Sequence, residues 1–454
     1  MILRDYQQTL FDEIHGCIKS GIRNPLVCSP TGSGKTATFC YIAHRSSSAG
    51  NRVLILVHRR ELVTQTSATL KRFDVGHGII MPGVTPNPMA LVQIGMVQTI
   101  SRRIDKIKEP QLIIVDECHH AVSNTYASIM RAFPRSVQIG FSATPARLDG
   151  KGLSDYFGKI IMGPSVEWLM KNGHLVRPRY FSLPMRANID GVKKRMGDYA
   201  ADQLAERMDT RAVLGDAVEH YARICNGSRA VVFCVNLKHA ENTRQQFQNS
   251  GIPAGIIHGG QTNQERKQVI DDLTEGRIKI LTSVSVIEEG FDLPSAEAAI
   301  LLRPTTSLGL HLQQIGRVLR PATDKKAVIL DHVGNLLTHG LAEDTREWSL
   351  DGIEKKKKGQ KNEPATHVQC KRCYAMHPRE MTTCPECGHV DEKRIRELKQ
   401  IEGELIEIEA IKAAPLELAL HDVRSAADID KIRAAKGYKP GWAYFMKKKM
   451  GYLR

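Results

Sequence analysis

The stretch Pro25-Leu-Val-Cys-Ser-Pro-Thr-Gly-Ser-Gly-Lys-Thr36 determines the fold that the sequence predicts. An apolar run typical of a strand leads directly into a glycine-rich loop, and a helical pattern follows the loop. Glycines let backbone N–H groups fold around phosphate oxygens at a helix N-terminus, where the partial positive charge of the helix also favours anions. The loop begins with Ser29, where loops of this kind commonly have glycine. A purely structural turn would give no reason for Lys35 and Thr36 at this offset.

The loop predicts a nucleotide site with defined roles. Lys35 is expected to reach the β- and γ-phosphates of ATP, and the Thr36 hydroxyl is expected to bind Mg²⁺. The backbone of the residues before them is expected to surround the phosphates. The predicted nucleotide-binding residues of the loop are Thr31, Gly32, Ser33, Gly34, Lys35 and Thr36.

A second apolar run, Leu112-Ile-Ile-Val-Asp-Glu-Cys-His-His120, ends in two adjacent carboxylates. Ligand sites of parallel sheets lie at the C-terminal ends of the strands, so these carboxylates are expected beside the loop. Asp116 is expected to hold the Mg²⁺ ion, and Glu117 to orient and deprotonate the attacking water. Adjacent histidines rarely face one ion, so a metal site at His119 and His120 is the weaker interpretation. His119 is instead expected to link the ATP site to a second domain.

Short β-rich runs alternate with helical stretches in two successive thirds of the chain, which is typical of parallel α/β sheets. The predicted strands are Pro25–Cys28, Val53–Val57, Leu91–Ile94, Leu112–Val115 and Val137–Phe141 in the first third, and Ala230–Val235, Gly255–Ile257, Ile278–Thr282, Ala298–Leu302 and Ala327–Asp331 in the second. Tyr156–Pro178 is mixed in character and is expected to connect the two. The predicted fold class is α/β, with two tandem parallel-sheet domains.

The character of the sequence changes after Leu350. Glu354–Lys361 is a charge run with nothing to bury, which indicates a linker. A four-cysteine module follows it, and a charged helical stretch is expected over Asp391–Ala413. The predicted segments are 1–163 and 164–350 for the two α/β domains, 351–363 for the linker, 364–392 for a zinc ribbon and 393–454 for a helical, basic and aromatic tail.

The composition is that of a globular protein with two or three domains. The chain has 454 residues, of which 42% are hydrophobic and 25% are charged, and this excludes a largely disordered chain. Lys and Arg number 64 against 49 Asp and Glu, a net charge of +15 that favours a polyanionic partner. From Gly352 onward there are 22 basic and 15 acidic residues, a net charge of +7, and no acidic residue follows Asp430.

The sequence predicts a cytoplasmic protein of a reducing compartment, without membrane contact. No apolar run approaches the roughly 18 residues of a membrane span. The start, Met1-Ile-Leu-Arg-Asp-Tyr-Gln7, lacks the basic and then apolar layout of a signal peptide. Scattered cysteines in apolar contexts are typical of reduced core residues. They are Cys17, Cys28, Cys40, Cys118, Cys225 and Cys234.

Asp116-Glu-Cys-His119 resembles the DExH box of the superfamily 2 helicases, and the resemblance covers about residues 1–335. The other motifs that carry it are, in order, Arg4-Asp-Tyr-Gln7, Val57-His-Arg-Arg-Glu-Leu62, Gly95-Met-Val-Gln-Thr99, Ser142-Ala-Thr144, Val232-Phe-Cys-Val235, His258-Gly-Gly260, Thr282 with Glu289-Gly-Phe-Asp292, and Gln313-Gln-Ile-Gly-Arg-Val-Leu-Arg320. The last motif departs from the common form at Gln314 and Leu319, where arginine and glycine are usual. The resemblance implies two RecA-like domains, ATP and Mg²⁺ as cofactors, and ATP hydrolysis coupled to work on a nucleic acid.

The same resemblance implies roles for single residues. Gln7 would recognise adenine, and Gly290 and Asp292 would belong to the nucleotide site. Four residues would couple hydrolysis to strand binding, namely Ser142, Thr144, His119 and Gln313. Four others would contact the nucleic acid, namely Arg59, Arg60, Thr99 and Thr282.

Arg317 and Arg320 would be the arginine fingers of the resemblance. Phosphoryl transfer needs positive charge on the developing γ-phosphate, and an arginine from a second domain supplies it when the cleft closes. Hydrolysis would then report closure, and strand binding across both domains would alternate with the nucleotide state. The two arginines alone would indicate only a salt-bridged surface helix.

Two Cys-x-x-Cys pairs, Cys370 with Cys373 and Cys384 with Cys387, are separated by ten residues. Four thiolates can close a tetrahedral Zn²⁺ site, so the pattern predicts a compact ribbon with structural zinc. Gly388 permits the tight turn that aims N–H groups at sulfur. A redox pair of the thioredoxin type is the rival, although no βαβ pattern surrounds either pair. The histidines nearby are His367, His377 and His389, which are expected to be bystanders.

The segment Lys436–Lys449 interleaves aromatic and basic residues. Bases stack on aromatic rings while lysines meet phosphates, so the segment suits nucleic acid. Packing of Trp442, Tyr444 and Phe445 into a small terminal helix is an equally good interpretation. The layout of core, four-cysteine module and tail resembles the bacterial RadD-like DNA-repair helicases.

We therefore expect an ATP-dependent DNA helicase or translocase of repair, recombination or replication. Single-stranded or branched DNA is the expected partner, together with repair or replication proteins at the C-terminal region. The alternatives are an RNA helicase, or a switch-like ATPase that remodels nucleoprotein without unwinding. A non-enzymatic zinc module would not explain Lys35, Asp116 and Glu117.

Overall fold

The computed structural model describes most of the chain up to Val390 and a few residues beyond it. The described residues are 2–120, 124–145, 152–182, 192–195, 198–208, 211–287, 293, 295–322, 324–351, 367–370, 372–390, 425, 429–430, 446–448 and 452. Residues 1–390 form one compact unit and residues 391–454 a second one.

Lobe 1, the described part of residues 2–163, is built on a seven-stranded parallel sheet in the order β3-β4-β2-β5-β6-β1-β7. Its strands are β1 (Pro25–Cys28), β2 (Val53–Val57), β3 (His77–Ile80), β4 (Val92–Met96), β5 (Leu112–Asp116), β6 (Val137–Ser142) and β7 (Lys159–Met162). Its helices are α1 (Asp5–Lys19), α2 (Lys35–Ser48), α3 (Arg60–Arg72), α4 (Val97–Ser101) and α5 (Asn124–Ala132), with 3₁₀ turns at Ile104–Lys106 and Cys118–His120. All residues of β1, β2 and β5 are buried, as expected of parallel strands covered on both faces.

Lobe 2, the described part of residues 164–340, repeats the scheme with six parallel strands in the order β12-β13-β11-β14-β15-β8. Its strands are β8 (Arg179–Ser182), the short pair β9 (Lys194–Arg195) and β10 (Asp198–Tyr199), β11 (Ala230–Phe233), β12 (Ala254–Ile257), β13 (Ile280–Ser283), β14 (Ala298–Leu301) and β15 (Val328–Asp331). Its helices are α6 (Val166–Lys171), α7 (Ala201–Met208), α8 (Arg211–Ile224), α9 (Leu237–Asn249), α10 (Asn263–Thr274), α11 (Leu308–Gly316) and α12 (Asn335–His339). The prediction of two tandem parallel-sheet domains is confirmed.

The ten predicted strands are all present, with ends that shift by one or two residues. The structure adds three strands of four residues at the edges of the sheets, β3, β7 and β8. The segment Tyr156–Pro178, predicted as the connection between the two domains, also carries secondary structure of its own, because β7 pairs with β1 and α6 follows it. Edge strands β3 and β7 are partly exposed and carry no continuous apolar run, which is why the pattern did not reveal them.

A segment of residues 341–351, here called the strap, leaves lobe 2 and returns to lobe 1. On lobe 2, Arg346 donates to the carbonyl oxygens of His339 and Leu341 at 3.1 and 2.6 Å. On lobe 1, the Leu350 carbonyl accepts from the backbone N–H groups of Leu153 and Ser154. Trp348 and Leu350 also pack against an apolar cluster of lobe 1. The chain therefore crosses between the lobes a second time.

The ribbon, residues 367–370 and 372–390, contains the antiparallel strands β16 (His367–Gln369) and β17 (Met376–Pro378). It joins the edge of lobe 2 through an antiparallel bridge between Phe181 and Ala375. Cys370 and Cys384 are buried in the same apolar cluster as the central strands of lobe 2. The ribbon is thus packed onto β8 and covers the edge of that sheet.

Several predictions fall outside the described residues. The linker (351–363) and the helical stretch Asp391–Ala413 do so almost entirely, as does most of the tail, including Trp442. In the second unit, Lys447 pairs with Asp430 at 2.6 Å and Ile429 is buried. Within the described part of the chain, no helix has the length and apolarity needed to cross a membrane. The six scattered cysteines are all buried, as predicted for core residues.

Candidate active site

The glycine-rich loop lies between the C-terminal end of β1 and the first turn of α2. Gly32 and Gly34 have φ angles of +85° and +83°, a region that only glycine enters without strain. A Cβ atom on Gly34 would stand 2.5 Å from Nε2 of Gln7, and one on Gly32 would stand 2.8 Å from Leu175. The glycines are therefore needed for both the turn and the close packing around the loop.

Ser29 closes the loop with its side chain. Its hydroxyl lies 2.7 Å from the hydroxyl of Ser33, which donates to the Pro30 carbonyl at 2.7 Å. Both serine side chains are buried. The serine in place of the usual glycine therefore adds a hydrogen bond within the loop.

The side chains of Gln7 and Tyr6 form hydrogen bonds with the backbone of the loop. Tyr6 donates its hydroxyl hydrogen to the Ser33 carbonyl at 2.7 Å, and Gln7 Nε2 donates to the carbonyls of Ser33 and Gly34 at 3.2 and 3.3 Å. Gln7 is buried, and its Oε1 accepts from the Arg4 backbone N–H. The amide of Gln7 is thus engaged with the loop backbone, and Tyr6, which the sequence did not single out, shares this role.

Asp116 is the last residue of β5, and Glu117 follows it directly, beside the loop. Glu117 has a φ of +48°, which is a strained conformation for a residue other than glycine. Its backbone N–H donates to Asp116 Oδ1 at 3.0 Å. Lys35 Nζ stands 3.9 Å from Glu117 Oε1 and donates to the Ser29 carbonyl at 3.2 Å. The predicted lysine and the two predicted carboxylates therefore meet at one place.

The two carboxylates fit a bound cation. Burial first and the charge of Glu117 second raise the pKa of Asp116, while the charge of Lys35 lowers it. Among the described residues, no hydrogen bond reaches the buried Oε2 of Glu117, although His119 Nδ1 lies 3.4 Å away. Adjacent buried carboxylates with spare oxygen atoms are the donor set that Mg²⁺ prefers. Asp116 and Thr36 line the same cavity and would hold the ion together.

A chain of contacts leads from Glu117 towards lobe 2. His119 Nδ1 lies 3.0 Å from the Ser142 hydroxyl, and that oxygen accepts from the Thr144 backbone N–H at 3.1 Å. A Cβ atom on Gly309 of α11 would stand 2.9 Å from Thr144 Oγ1. Gln313 lies on the same helix and is buried. Contacts thus join His119, Ser142 and Thr144, and Gln313 lies on the helix that Thr144 approaches.

Arg317 and Arg320 of lobe 2 line the same cavity as the loop. The cavity measures about 240 Å³. Its lining includes Thr31, Gly32, Gly34, Lys35, Thr36, Asp116, Glu117, Arg317 and Arg320. Burial lowers the pKa of Arg320 to about 10, so a buried cation faces the loop from the opposite lobe. Together the groups form a cationic pocket for phosphates with two carboxylates at one end.

Helix α3 contributes a wall of the cavity that the sequence did not predict. Leu62, Gln65, Thr69 and Arg72 line it at helical spacing. The quoted motif Val57–Leu62 ends at the first of these residues. The spacing of polar residues that continues along the helix was the signal that could have revealed the others.

The predicted nucleic-acid contacts divide into two kinds. Arg59 Nη1 donates to the Ser285 carbonyl of lobe 2 at 2.8 Å, and exposed Arg60 donates to the Pro82 carbonyl at 2.8 Å. Thr99 and Thr282 are buried, and Thr282 donates to the Gly255 carbonyl at 3.3 Å. Thr282 has no exposed surface, and Thr99 retains only 8%. Gly290 and Asp292 lie outside the described residues.

The four cysteines of the ribbon form one cluster in which all Sγ atoms lie within 4.8 Å of one another. Cys370 Sγ lies 3.7 Å from that of Cys387, and Cys373 Sγ lies 3.6 Å from that of Cys384. Zinc–sulfur bonds of about 2.3 Å in a tetrahedron place sulfur atoms roughly 3.8 Å apart, so the cluster fits Zn²⁺. Gly388 has a φ of +67°, as its predicted turn requires.

Two of the nearby histidines have contacts outside the cysteine cluster. Among the described residues, the only candidate metal cluster consists of the four cysteines. His377 Nδ1 lies 3.1 Å from the Pro378 carbonyl, and His367 lies 3.8 Å from Asp344.

Comparison with protein families gives two matches that cover both lobes. Residues 1–147 match the family described as type III restriction enzyme, res subunit, and residues 214–322 match the helicase conserved C-terminal domain. A fragment of an HsdR subunit of a type I restriction enzyme from Vibrio vulnificus shares the fold, with a TM-score of 0.60 and 22% identity over 76% of this chain and 68% of that one.

Three relatives are similar to most of the chain. A 51.5 kDa protein of a Lactococcus phage is 36% identical over 392 residues, which cover 85% of this chain and 83% of that protein. IRC3 of Saccharomyces cerevisiae, described as an ATP-dependent helicase, is 31% identical over 73% of this chain, which spans only 52% of its length. The DNA 3'-5' translocase XPB2 of Sulfurisphaera tokodaii is 24% identical over 75% of this chain and 82% of its own. The chain belongs to superfamily 2 of the helicases and is an ATP hydrolase.

Proposed function

We propose that the chain is a DNA-stimulated ATPase that translocates along DNA or separates its strands. The observation that carries the proposal is the shared cavity, in which Lys35 and Glu117 of lobe 1 face Arg317 and Arg320 of lobe 2. A site divided between two lobes is complete only when the lobes are together. Hydrolysis would therefore follow any ligand that draws the lobes together, such as a strand bound across both.

The proposed chemistry assigns one role to each group of the cavity. Lys35 and the loop backbone hold the β- and γ-phosphates, and Thr36 with Asp116 holds Mg²⁺, which would neutralise phosphate charge. Glu117 orients the attacking water and takes its proton. Arg317 and Arg320 stabilise the charge that develops on the transferred phosphoryl group.

The remaining predicted residues act around this centre. Gln7 acts on the nucleotide through the loop that its amide holds, while Gly290 and Asp292 keep the role that the resemblance implies. Four residues couple the nucleotide state of the cavity to lobe 2, namely His119, Ser142, Thr144 and Gln313. This path is supported by the 3.0 Å contact between His119 and Ser142.

DNA is the proposed nucleic acid. The relative XPB2 is a DNA translocase, and the net charge of +15 suits a polyanion. Arg59 and Arg60 are the proposed phosphate contacts at the end of β2. The buried Thr99 and Thr282 would shape the strand path.

The direct test measures ATP hydrolysis side by side with single-stranded DNA, duplex DNA, forked DNA and RNA. We expect stimulation by DNA, strongest with single-stranded or forked DNA, and a weaker effect of RNA. Stimulation by RNA alone would favour the RNA helicase, a function that the related ATP-dependent RNA helicase DBP5 also represents. A salt series on the best activator would give the number of phosphate contacts.

Strand displacement separates the proposed motor from a switch-like ATPase. The experiment uses forked and tailed duplexes under the conditions of strongest ATP hydrolysis, together with a triplex-displacement assay for translocation without unwinding. We expect displacement in at least one of them. Stimulated hydrolysis without displacement in any of them would show that the protein acts as a switch on nucleoprotein.

We also propose that the ribbon binds one structural Zn²⁺ through its four cysteines. The sulfur distances support this. Purified protein should carry about one zinc per chain under reducing conditions, and Cys384→Ser should lose it and melt at a lower temperature. Absence of zinc would refute the site.

A role in repair, recombination or replication, with the reducing cytoplasm as its compartment, is part of the proposal. The four-cysteine module and the basic, aromatic tail support a RadD-like function. In that function the C-terminal region would bind DNA together with repair or replication proteins. Removing the residues after Ile429 should weaken the stimulation of ATP hydrolysis by DNA, which is measured as the dependence of the hydrolysis rate on DNA concentration. An unchanged dependence would assign the tail to another task.

A further inference from the structure

Two side chains form an ion pair between the lobes, one on helix α3 of lobe 1 and the other on helix α10 of lobe 2. Arg266 Nη1 of lobe 2 donates to Glu61 Oε1 of lobe 1 at 2.6 Å, across 205 residues of sequence. The exposed fractions of the two side chains are only 16% and 21%. Arg266 also donates to the Gly259 carbonyl at 2.7 Å, which holds its guanidinium in one orientation.

The positions of the two residues on their helices show that the pair is specific. Glu61 lies in the first turn of α3, where the helix dipole favours a negative charge. Arg266 lies near the beginning of α10, where the dipole disfavours a positive charge. The dipole of α10 therefore does not stabilise the positive charge of Arg266. The carboxylate of Glu61 in lobe 1 balances that charge.

Helix α3 connects this pair to the ATP cavity. Its first turn carries Glu61, and the next residues along the helix, Leu62 and Gln65, line the cavity. A second contact lies beside the pair, because Arg59 donates to the carbonyl of Ser285. Ser285 has a φ of +54° and follows β13, so its carbonyl is held in a strained turn. The first turn of α3 is thus fastened to lobe 2 at two points.

We propose that Glu61 and Arg266 form an inter-lobe latch whose two members are positioning residues for ATP hydrolysis. The latch fixes α3 against lobe 2 at one end of the cleft, and this sets where Arg317 and Arg320 stand relative to the loop at the other. The charges must be opposite for this purpose, but either lobe could carry either sign. The proposal rests on the proposed use of the cavity for ATP and is independent of the kind of nucleic acid.

The test is a charge-reversal cycle on the full chain, with Glu61→Arg, Arg266→Glu and the double variant. Each single reversal should lower kcat/KM for ATP by about tenfold, because two like charges would meet at the latch. The double variant should return to within about threefold of the wild type, since the pair is restored with its signs exchanged. The matched control reverses the charges of the exposed pair Glu241 and Arg244, which lies within α9. These reversals should leave kcat/KM unchanged.

Two kinetic outcomes would overturn the latch. One is wild-type kcat/KM in both single variants, and the other is a double variant as impaired as the product of the two single effects. Small-angle X-ray scattering of the same proteins gives a second readout that needs no hydrolysis. The radius of gyration should rise in the single variants and return in the double variant, and an unchanged radius throughout would also refute the latch. If the wild type hydrolysed no ATP, the proposed function would fail while scattering still decided on the latch.

Discussion

Gly316 of lobe 2 lies so close to Thr31 of lobe 1 that a Cβ atom on Gly316 would stand 2.8 Å from the Thr31 Cβ. The end of α11 is therefore packed against the loop, and Arg317 follows immediately. Gly316→Ala should push the helix away from the loop at a cost of about 1–3 kcal/mol and lower kcat/KM for ATP about tenfold or more. Steady-state ATP hydrolysis measures this effect.

Gly16→Ala is the matched control for this substitution. Gly16 also lies in a helix, α1, and a Cβ atom there would meet no atom within 4 Å. Alanine should leave hydrolysis unchanged at this position and slightly raise stability, since it is the better helix former. Equal activities of the two variants would contradict the close contact of the lobes.

Glu117→Gln should abolish turnover and preserve ATP binding. The amide keeps the size and the turn of Glu117, but it cannot take a proton from water. Hydrolysis is measured in single-turnover experiments, and binding by titration with a fluorescent ATP analogue. Residual hydrolysis near the wild-type rate would assign the general base to another group.

The strap provides a prediction about stability. A Cβ atom on Gly152 would stand 2.1 Å from the Leu350 carbonyl oxygen, a backbone atom that cannot move aside alone. Gly152→Ala should therefore displace the strap from lobe 1 and lower the melting temperature by a few degrees. Gly76→Ala is the control, because a Cβ atom on Gly76 would meet open space. Equal melting temperatures of the two variants would contradict the packing of the strap against lobe 1.

His311 should make the protein less stable in mild acid. Burial first and the neighbouring His339 second lower the pKa of His311 to about 3, from 6.5 in the unfolded chain. The contribution of neutral, buried His311 to stability is therefore fully present above pH 6.5. As the pH falls below 6.5, the free energy of unfolding decreases by about 1.4 kcal/mol per pH unit. Urea unfolding at pH 7.5 and 5.5 should show a smaller difference between the two pH values for His311→Gln than for the wild type. The same substitution at exposed His15 should leave the difference unchanged.

The central strands and the nucleotide loop could be predicted because their signals are local. β2 and β5 are continuous apolar runs that are buried on both faces, and the loop carries its chemistry in eight consecutive residues. The alternation of strands and helices then determines which ends meet, so the position of Asp116 beside Lys35 followed from the pattern alone.

The contacts that join distant parts could not be predicted in the same way. The strap depends on hydrogen bonds between Leu350 and residues almost 200 positions earlier, and the ribbon depends on the bridge from Ala375 to Phe181. The cysteine spacing predicted the cluster but contained no signal for the surface on which it packs. Burial of Thr282 likewise arises from neighbouring strands and not from its own motif.

The decisive measurement is the rate of ATP hydrolysis with and without single-stranded DNA. We predict a low basal rate that rises several-fold with DNA and falls to background in Arg320→Ala at any DNA concentration. A rate that no nucleic acid changes, or one that survives in Arg320→Ala, would contradict a site completed by both lobes.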